Sequence, residues 1–328
     1  MKRFRHIDAL TIDDAILVLR HYGRKAKIIA GGTDLLGQMK NRIHPTYIEA
    51  VVNIKTVPDL DYIKEDADGL KIGALARLRD VEAHTTIREK YTALAQAAHA
   101  VASPQIRVMG TIGGNLCQDC RCWYYRAPKN YFHCLRKKGV KKGAICYALA
   151  GDNRNHSIFG AIKKCVAVNP SDTAPALIAL NAKIRTTKRI IGASDLFTVR
   201  AERTTVLAPD EILTEIEIPN PQIGTKSQFI KFAFRKSIDF PIVNCAAAIT
   251  NEEGFVKETR ICLNAVHNLP YRATKAEIFL KGKSITESIA EEAGKKAVEG
   301  AIPLSRNKYM IQIAKRLVEL VIISTHKY

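Results

Sequence analysis

Apolar residues along this chain switch between helical spacing and short continuous runs, and the order of the two changes near residue 220. Thr11-Ile-Asp-Asp14 supplies an N-cap and an acidic first turn, Ala15, Leu19 and Tyr22 follow at helical spacing, and Gly23 closes the predicted helix. Residues 27–30 then read as a strand running into Gly31-Gly32-Thr33-Asp34, with Leu35, Leu36 and Met39 on a new helical face. Residues 47–54 and 70–75 are two more expected strands, the second reached through the polar turn EDADG. Between 81 and 101 the recurrence of Ile87, Tyr91, Leu94, Ala98 and Val101 predicts one or two helices, stopped by Ser103-Pro104. IRVMGTIGGN follows as a strand-like run into a second glycine pair. A short strand is expected at 166–168, a small-residue helix in APALIALNA, and strands at 183–191 and 213–218.

Pro219, Pro221 and Gly224 mark a domain boundary. Beyond it the pattern predicts three strands, at 229–234, 246–250 and 259–266, with a turn at Glu252-Glu-Gly254. Helices at 272–280, 285–297 and 309–323 follow. The expectation is an α+β protein: residues 1–220 in two parts, about 1–55 and 56–220, then a C-terminal α+β domain at 221–328 with a three-stranded sheet and helices.

Composition narrows the class. With 47% hydrophobic and 25% charged residues over 328 positions, the chain has the makings of real cores. MKRFRHIDAL lacks the apolar core of a signal peptide, and no apolar run reaches the roughly 18 residues of a membrane span, which points to the cytoplasm. A formal charge of +19 favours acidic partners. No RNP-type aromatic motif, zinc-finger spacing or helix-turn-helix signal accompanies it, so nothing marks a specific nucleic-acid site; an anionic substrate or an acidic electron carrier is served equally well. A basic nucleic-acid-binding protein with structural zinc remains the competing class, and it requires zinc without flavin.

The two glycine pairs let backbone approach a phosphate group closely, yet neither fits G-x-G-x-x-G or the P-loop pattern. In context, AGGTDLL at 30–36, MGTIGGNL at 109–116, SDTAPALIAL at 171–180 and KFAFRKSIDFPIVNCAAAI at 231–249 resemble, in order, the FAD-binding subunits of molybdenum hydroxylases. This family includes xanthine dehydrogenase flavin domains and carbon monoxide dehydrogenase medium subunits. The resemblance implies a PCMH-type FAD-binding domain followed by a domain of the carbon monoxide dehydrogenase flavoprotein C-terminal type. It further implies that Ala30, Gly31, Gly32, Thr33, Asp34 and Leu35, with Thr111, Gly114 and Asn115, cradle the FAD pyrophosphate and ribityl chain. Asp172 would hydrogen-bond the cofactor and Lys231 would approach from the C-terminal domain. Val108 departs from the family, where a polar Asn is frequent. No catalytic acid, base or nucleophile is expected in this chain.

Six of the eight cysteines fall between 117 and 165, in a connection from Asn115 to Ser171 far longer than the family requires. Four thiolates can hold zinc or an iron–sulfur cluster, and spacing alone leaves the metal open. RCWYY, FHCLRKKG, AICYALAG and KKCVAVNPSDTAPAL are similar to the inserted loop of 4-hydroxybenzoyl-CoA reductase flavin subunits. That likeness implies a 4Fe-4S cluster on Cys122, Cys134, Cys146 and Cys165, with Cys117 and Cys120 in excess and Cys117 a packing residue. Cys245 and Cys262 read as core. Trp123, Tyr124, Tyr125, Tyr131, Phe132 and Tyr147 could shield a cluster or form the insert's own core. Lys137, Lys138, Lys141, Lys142, Lys163 and Lys164 could dock an acidic ferredoxin or simply be a solvated face. The implied partners are a molybdenum-cofactor large subunit and a 2Fe-2S small subunit. The implied reaction is reductive removal of the para-hydroxyl of 4-hydroxybenzoyl-CoA or a related thioester. In the alternative, electrons flow the other way, from a xanthine, aldehyde or N-heterocycle hydroxylase through FAD to NAD or another acceptor.

Overall fold

The computed structural model describes residues 2–137 and 143–327, so Lys138, Lys141 and Lys142 lie outside the described residues. Strands Arg5–Asp8, Ala50–Asn53 and Ala26–Ile29 form a three-stranded parallel sheet in that spatial order. Its central strand is apolar at three of four positions and buried at all four, as a parallel strand covered on both faces must be. Helix Ile12–Tyr22 covers this sheet with Ala15 and Leu19; Thr11 and Asp14 form a capping box at its start, and Gly23 at φ 53° ends it.

The second sheet is antiparallel: Ile63–Asp66, Gly69–Gly73, Leu213–Pro219, Lys183–Thr186 and Ile190–Gly192. The run at 183–191 is therefore a hairpin of two strands, not one. Residues 81–101 fold as three helices within Leu78–Ala83, Thr85–Lys90 and Thr92–His99, because His84 is extended and the fully buried Tyr91 leaves helical geometry at φ −125°, ψ 45°. Ser103-Pro104, expected as a stop, instead opens helix Pro104–Met109, with proline in the first turn where its missing N–H costs nothing. The strand-like run before the second glycine pair is thus helical, and Gly113 and Gly114 sit inside the next helix, Ile112–Cys117. Residues 166–168 make only an isolated bridge, Arg121 to Val168.

Strands Thr225–Phe232, Val243–Glu252, Phe255–Asn264 and Tyr271–Arg272 build the C-terminal antiparallel sheet, backed by helices Thr274–Leu280, Glu287–Val298 and Tyr309–Lys327. It has four strands rather than three; the two-residue edge strand is too short to carry a period. Cys245 and Cys262 are fully buried in it, as expected.

The cysteine-rich insert is tied down on three sides. Arg126 Nη1 donates to Asp34 Oδ1 (2.7 Å) and the Asp119 amide donates to Asp34 Oδ2 (2.9 Å), fastening the insert to the first glycine turn. Asn307 Nδ2 donates to the carbonyls of His156 (2.9 Å) and Ser157 (3.0 Å), and Phe159 stacks on Tyr271 at 3.8 Å, fastening it to the C-terminal domain. Arg136 Nη2 donates to the Arg203 carbonyl (2.8 Å) in the hairpin of Phe197–Arg200 and Arg203–Thr205.

At the centre of these ties lies the buried Asp119. It accepts from Tyr125 Oη (2.7 Å), and His44 Nε2 stands 3.5 Å from the same oxygen. Burial opposes its ionisation, but His44, Arg126 and Arg136 outweigh that and hold its carboxyl well below the usual range. A depressed carboxylate contributes stability above its unfolded pKa of about 4, and loses it as pH falls through the folded value. Asp119→Asn should therefore cost about 2 kcal/mol or more at pH 7. Thermal denaturation followed downward in pH should show the gap between variant and wild type narrowing below about pH 4. Asn307→Ala, which removes two buried hydrogen bonds, should lower Tm by an amount equivalent to about 2 kcal/mol with little pH dependence.

Candidate functional site

A cavity of about 530 Å³ opens between the two glycine segments. A Cβ on Gly31 would lie 2.1 Å from the Met109 carbonyl oxygen and 2.9 Å from Gly110 Cα, so the first turn rests directly on the approach to the second. Gly32 occupies the left-handed region at φ 72°. A Cβ on Gly113 would be 2.8 Å from the Ala74 carbonyl oxygen, and the Gly114 amide donates to Thr111 Oγ1 (3.1 Å), which caps the helix. Ala30, Gly31, Gly32, Thr33, Asp34, Leu35, Thr111, Gly114, Asn115 and Asp172 all line the cavity.

Asn115 is oriented from behind. Its Oδ1 accepts from Ser171 Oγ (2.6 Å) and Thr173 Oγ1 (2.7 Å), which leaves the Nδ2 hydrogens for a ligand. Asp172 is engaged on both oxygens, by Lys231 Nζ (2.8 Å) and Asn244 Nδ2 (2.7 Å), and does not cap the following helix. Burial raises its pKa against the pull of Lys231 and Asn244. Lys231 also donates to the Ala100 carbonyl (2.7 Å); it reaches the aspartate from the C-terminal sheet and does not itself line the cavity. The expectation that Cys117 is packed away is corrected: it is exposed on the cavity wall, on the same helix face as Gly114 and opposite the buried Ile112 and Leu116. Two lining residues carried no sequence signal, His44 and Glu202. His44 Nδ1 and Glu202 Oε1 stand 4.0 Å apart, and each is buried without a hydrogen-bond partner among the described residues.

Cys122, Cys134, Cys146 and Cys165 line one second, small cavity together with Tyr124, Tyr125, Tyr147, Leu135 and Arg136. Among the described residues no three His, Cys, Asp or Glu side chains are gathered closely enough to hold a single metal ion, so the four thiols share a wall rather than a ready-made coordination sphere. All eight cysteines are free. Burial pushes the Cys122 thiol up to about 12 and raises those of Cys134 and Cys146, with proximity to Cys165 adding to each. Two basic side chains adjoin them: Arg136 Nη1 lies 3.8 Å from Cys165 Sγ, and His156, whose pKa burial lowers to about 4, places Nε2 3.3 Å from Cys122 Sγ. Lys137, expected on a docking or solvated face, is 98% buried by its 2% exposure, and its Nζ has no hydrogen-bond partner among the described residues. Tyr124, Phe132 and Tyr147 pack against one another at 4.9–6.1 Å, whereas Trp123 and Tyr131 are exposed and do not shield the thiols. Four thiols with the Arg136 guanidinium against one of them and an unpartnered buried Lys137 close by suit an anionic thiolate-ligated group.

Comparison with known proteins agrees with the fold and with FAD as a cofactor. Residues 2–221 match the model of the FAD binding domain in molybdopterin dehydrogenase, and residues 228–320 match the CO dehydrogenase flavoprotein C-terminal domain. The aldehyde oxidoreductase FAD-binding subunit PaoB of Escherichia coli (strain K12) is 32% identical over 311 residues, covering 90% of each chain. The nicotinate dehydrogenase FAD-subunit of Eubacterium barkeri is 28% identical over 294 residues, 89% of this chain and 84% of the relative. A carbon monoxide dehydrogenase structure from Hydrogenophaga pseudoflava superposes with TM-score 0.77 at 24% identity, covering 99% of this chain and 98% of that one, a likeness of fold. No described helix is long and apolar enough to cross a membrane. The chain belongs to the family of FAD-binding subunits of the molybdenum hydroxylases, and is an oxidoreductase subunit of that family.

Proposed function

We propose that this chain is the electron-transfer subunit of a molybdenum-containing oxidoreductase, holding FAD in the large cavity and a 4Fe-4S cluster on Cys122, Cys134, Cys146 and Cys165. The observation that carries the reading is the second cavity: four thiols on one wall together with the buried Arg136, next to which Lys137 is buried with its Nζ unpartnered among the described residues. The flavin would exchange electrons singly or in pairs and the cluster singly. Everything else falls to this chain's own groups. Gly31, Gly32 and Gly114 keep side chains away from the pyrophosphate, while Thr33 and Asn115 donate to it or to the ribityl chain. Asp172 and Lys231 act one step back, as the clamp that holds the C-terminal domain against the cavity wall.

The partners in this reading are a molybdenum-cofactor large subunit, where substrate is transformed, and a 2Fe-2S small subunit. The 32% identity to an aldehyde oxidoreductase subunit favours aldehyde oxidation, with electrons leaving through FAD. A second reading, supported by the sequence contexts of the four cysteines, runs from an acidic ferredoxin through the cluster and FAD toward a 4-hydroxybenzoyl-CoA-type thioester. Exposed Trp123, Tyr131, Ile145 and Leu149 on the insert, which also carries the exposed Lys163-Lys164 pair, would suit such a carrier.

Flavin, iron, sulfide and zinc analysis of anaerobically purified protein tests the cofactors. FAD with about four irons per chain is expected, and zinc in place of iron would sink the cluster. Gly31→Ala should weaken FAD retention at least ~tenfold, about 1.4 kcal/mol, and leave iron in place, because its Cβ would meet the Met109 carbonyl. Cys134→Ser should do the reverse. Bleaching of the flavin by aldehydes, against reduction by reduced ferredoxin, separates the two directions.

A further inference from the structure

Two of the insert's cations are where a solvated basic loop would not put them. Arg136 is 3% exposed and Lys137 is 2% exposed, on consecutive residues directly after Cys134-Leu135. Arg136 is fixed at both ends of its guanidinium, by the Arg203 carbonyl and by Cys165 Sγ, and its Nε is left over. Among the described residues Lys137 is held by its backbone, whose amide donates to the Cys134 carbonyl (2.9 Å), and by the Tyr125 ring, 5.7 Å from its Nζ. No carboxylate forms an ion pair with either among the described residues; the nearby Asp119 accepts from Tyr125, stands 3.5 Å from His44, and feels the Arg136 charge without bonding to it. A buried ammonium without an anion is costly enough that it is retained only where something else supplies the charge. Tyr125, whose ring Lys137 Nζ faces, and Cys134, whose carbonyl the Lys137 amide reaches, both line the second cavity with Cys122, Cys146 and Cys165.

We propose that Lys137 is a positioning residue for electron transfer: its buried ammonium is the counter-charge that sets the reduction potential of the cluster held by the four thiols. The inference rests on the cluster assignment above. Four thiolates outweigh the formal charge of a four-iron core, so the site is anionic and gains one further negative charge on one-electron reduction. A fixed cation stabilises the more negative, reduced form more strongly, and burial spares it the screening that a surface lysine suffers. Arg136, locked to Cys165 and to the backbone, contributes to holding the ligand in place, whereas Lys137 has no such bond and acts by charge alone.

The test is a redox titration of the full, anaerobically purified chain with its cluster followed by electron paramagnetic resonance, alongside iron content. Lys137→Met, similar in length and neutral, should keep its iron and shift the cluster midpoint to a more negative potential, and Lys137→Arg should return it toward the wild-type value. An unchanged midpoint in Lys137→Met with iron retained overturns the proposal while leaving the cluster assignment standing. Should Lys137→Met lose iron, restoration by Lys137→Arg supports the charge role, and loss in both variants overturns it. A wild-type chain without iron overturns the cluster assignment and the proposal together.

Discussion

Asp34 is the residue through which the two halves of the candidate site are made one object. It lies at the end of the first glycine turn, and its carboxylate takes Arg126 Nη1 on one oxygen and the Asp119 amide on the other, with Gln38 Nε2 (2.6 Å) sharing the second. Arg126 in turn donates to the carbonyls of Cys120 (2.8 Å) and Asp119 (2.7 Å), so the first loop of the insert is wound around a guanidinium that the glycine turn anchors. Charge-assisted bonds of this kind are short and geometrically demanding, and a second-cavity wall that begins two residues after Cys120 inherits their precision. Any displacement of the glycine turn is thereby a displacement of Cys122.

The C-terminal domain closes the same object from the other side. Asp172 would be an expensive buried carboxylate by itself; Lys231 and Asn244, both from the C-terminal sheet, answer its two oxygens. Asn264 Nδ2 donates to Asn169 Oδ1 (3.1 Å) and to the Ser171 carbonyl (2.7 Å) from the same sheet. The segment from 169 to 173 is thus held by polar groups of one domain while it orients Asn115 of the other. Specificity of docking comes from these buried polar matches, since an apolar seam would tolerate sliding.

The parts of this arrangement that could be read from sequence are those where a residue type answers a local need. Glycines at 31, 32 and 114, the Thr11 cap and the central strand of the first sheet are of that kind; the grouping of Cys122, Cys134, Cys146 and Cys165 followed from the family resemblance, since their spacing alone left it open. What could not be read depends on contacts between distant segments. Two successive glycines disfavour a helix by about 1 kcal/mol each, which is why Ile112–Cys117 was not expected, yet Gly113 must be bare because it lies against Ala74. His44 and Glu202 belong to no motif and meet only through topology. Lys137 sits in a run of basic residues, and composition cannot distinguish the one that turns inward.

That last distinction changes what the charge of +19 means. A surplus of cations on a surface steers encounters and is screened by salt, so its individual members are nearly interchangeable. Arg136 and Lys137 are not part of that surplus: both are removed from water, Arg136 on the wall that holds the four thiols and Lys137 next to it in sequence. Burial separates two members of a generic basic loop from the rest. The insert's basicity then has two physically separate parts, an outer one exposed at Lys163 and Lys164 and an inner one buried at Arg136 and Lys137. The two respond differently to ionic strength: the outer fades with salt while the inner persists.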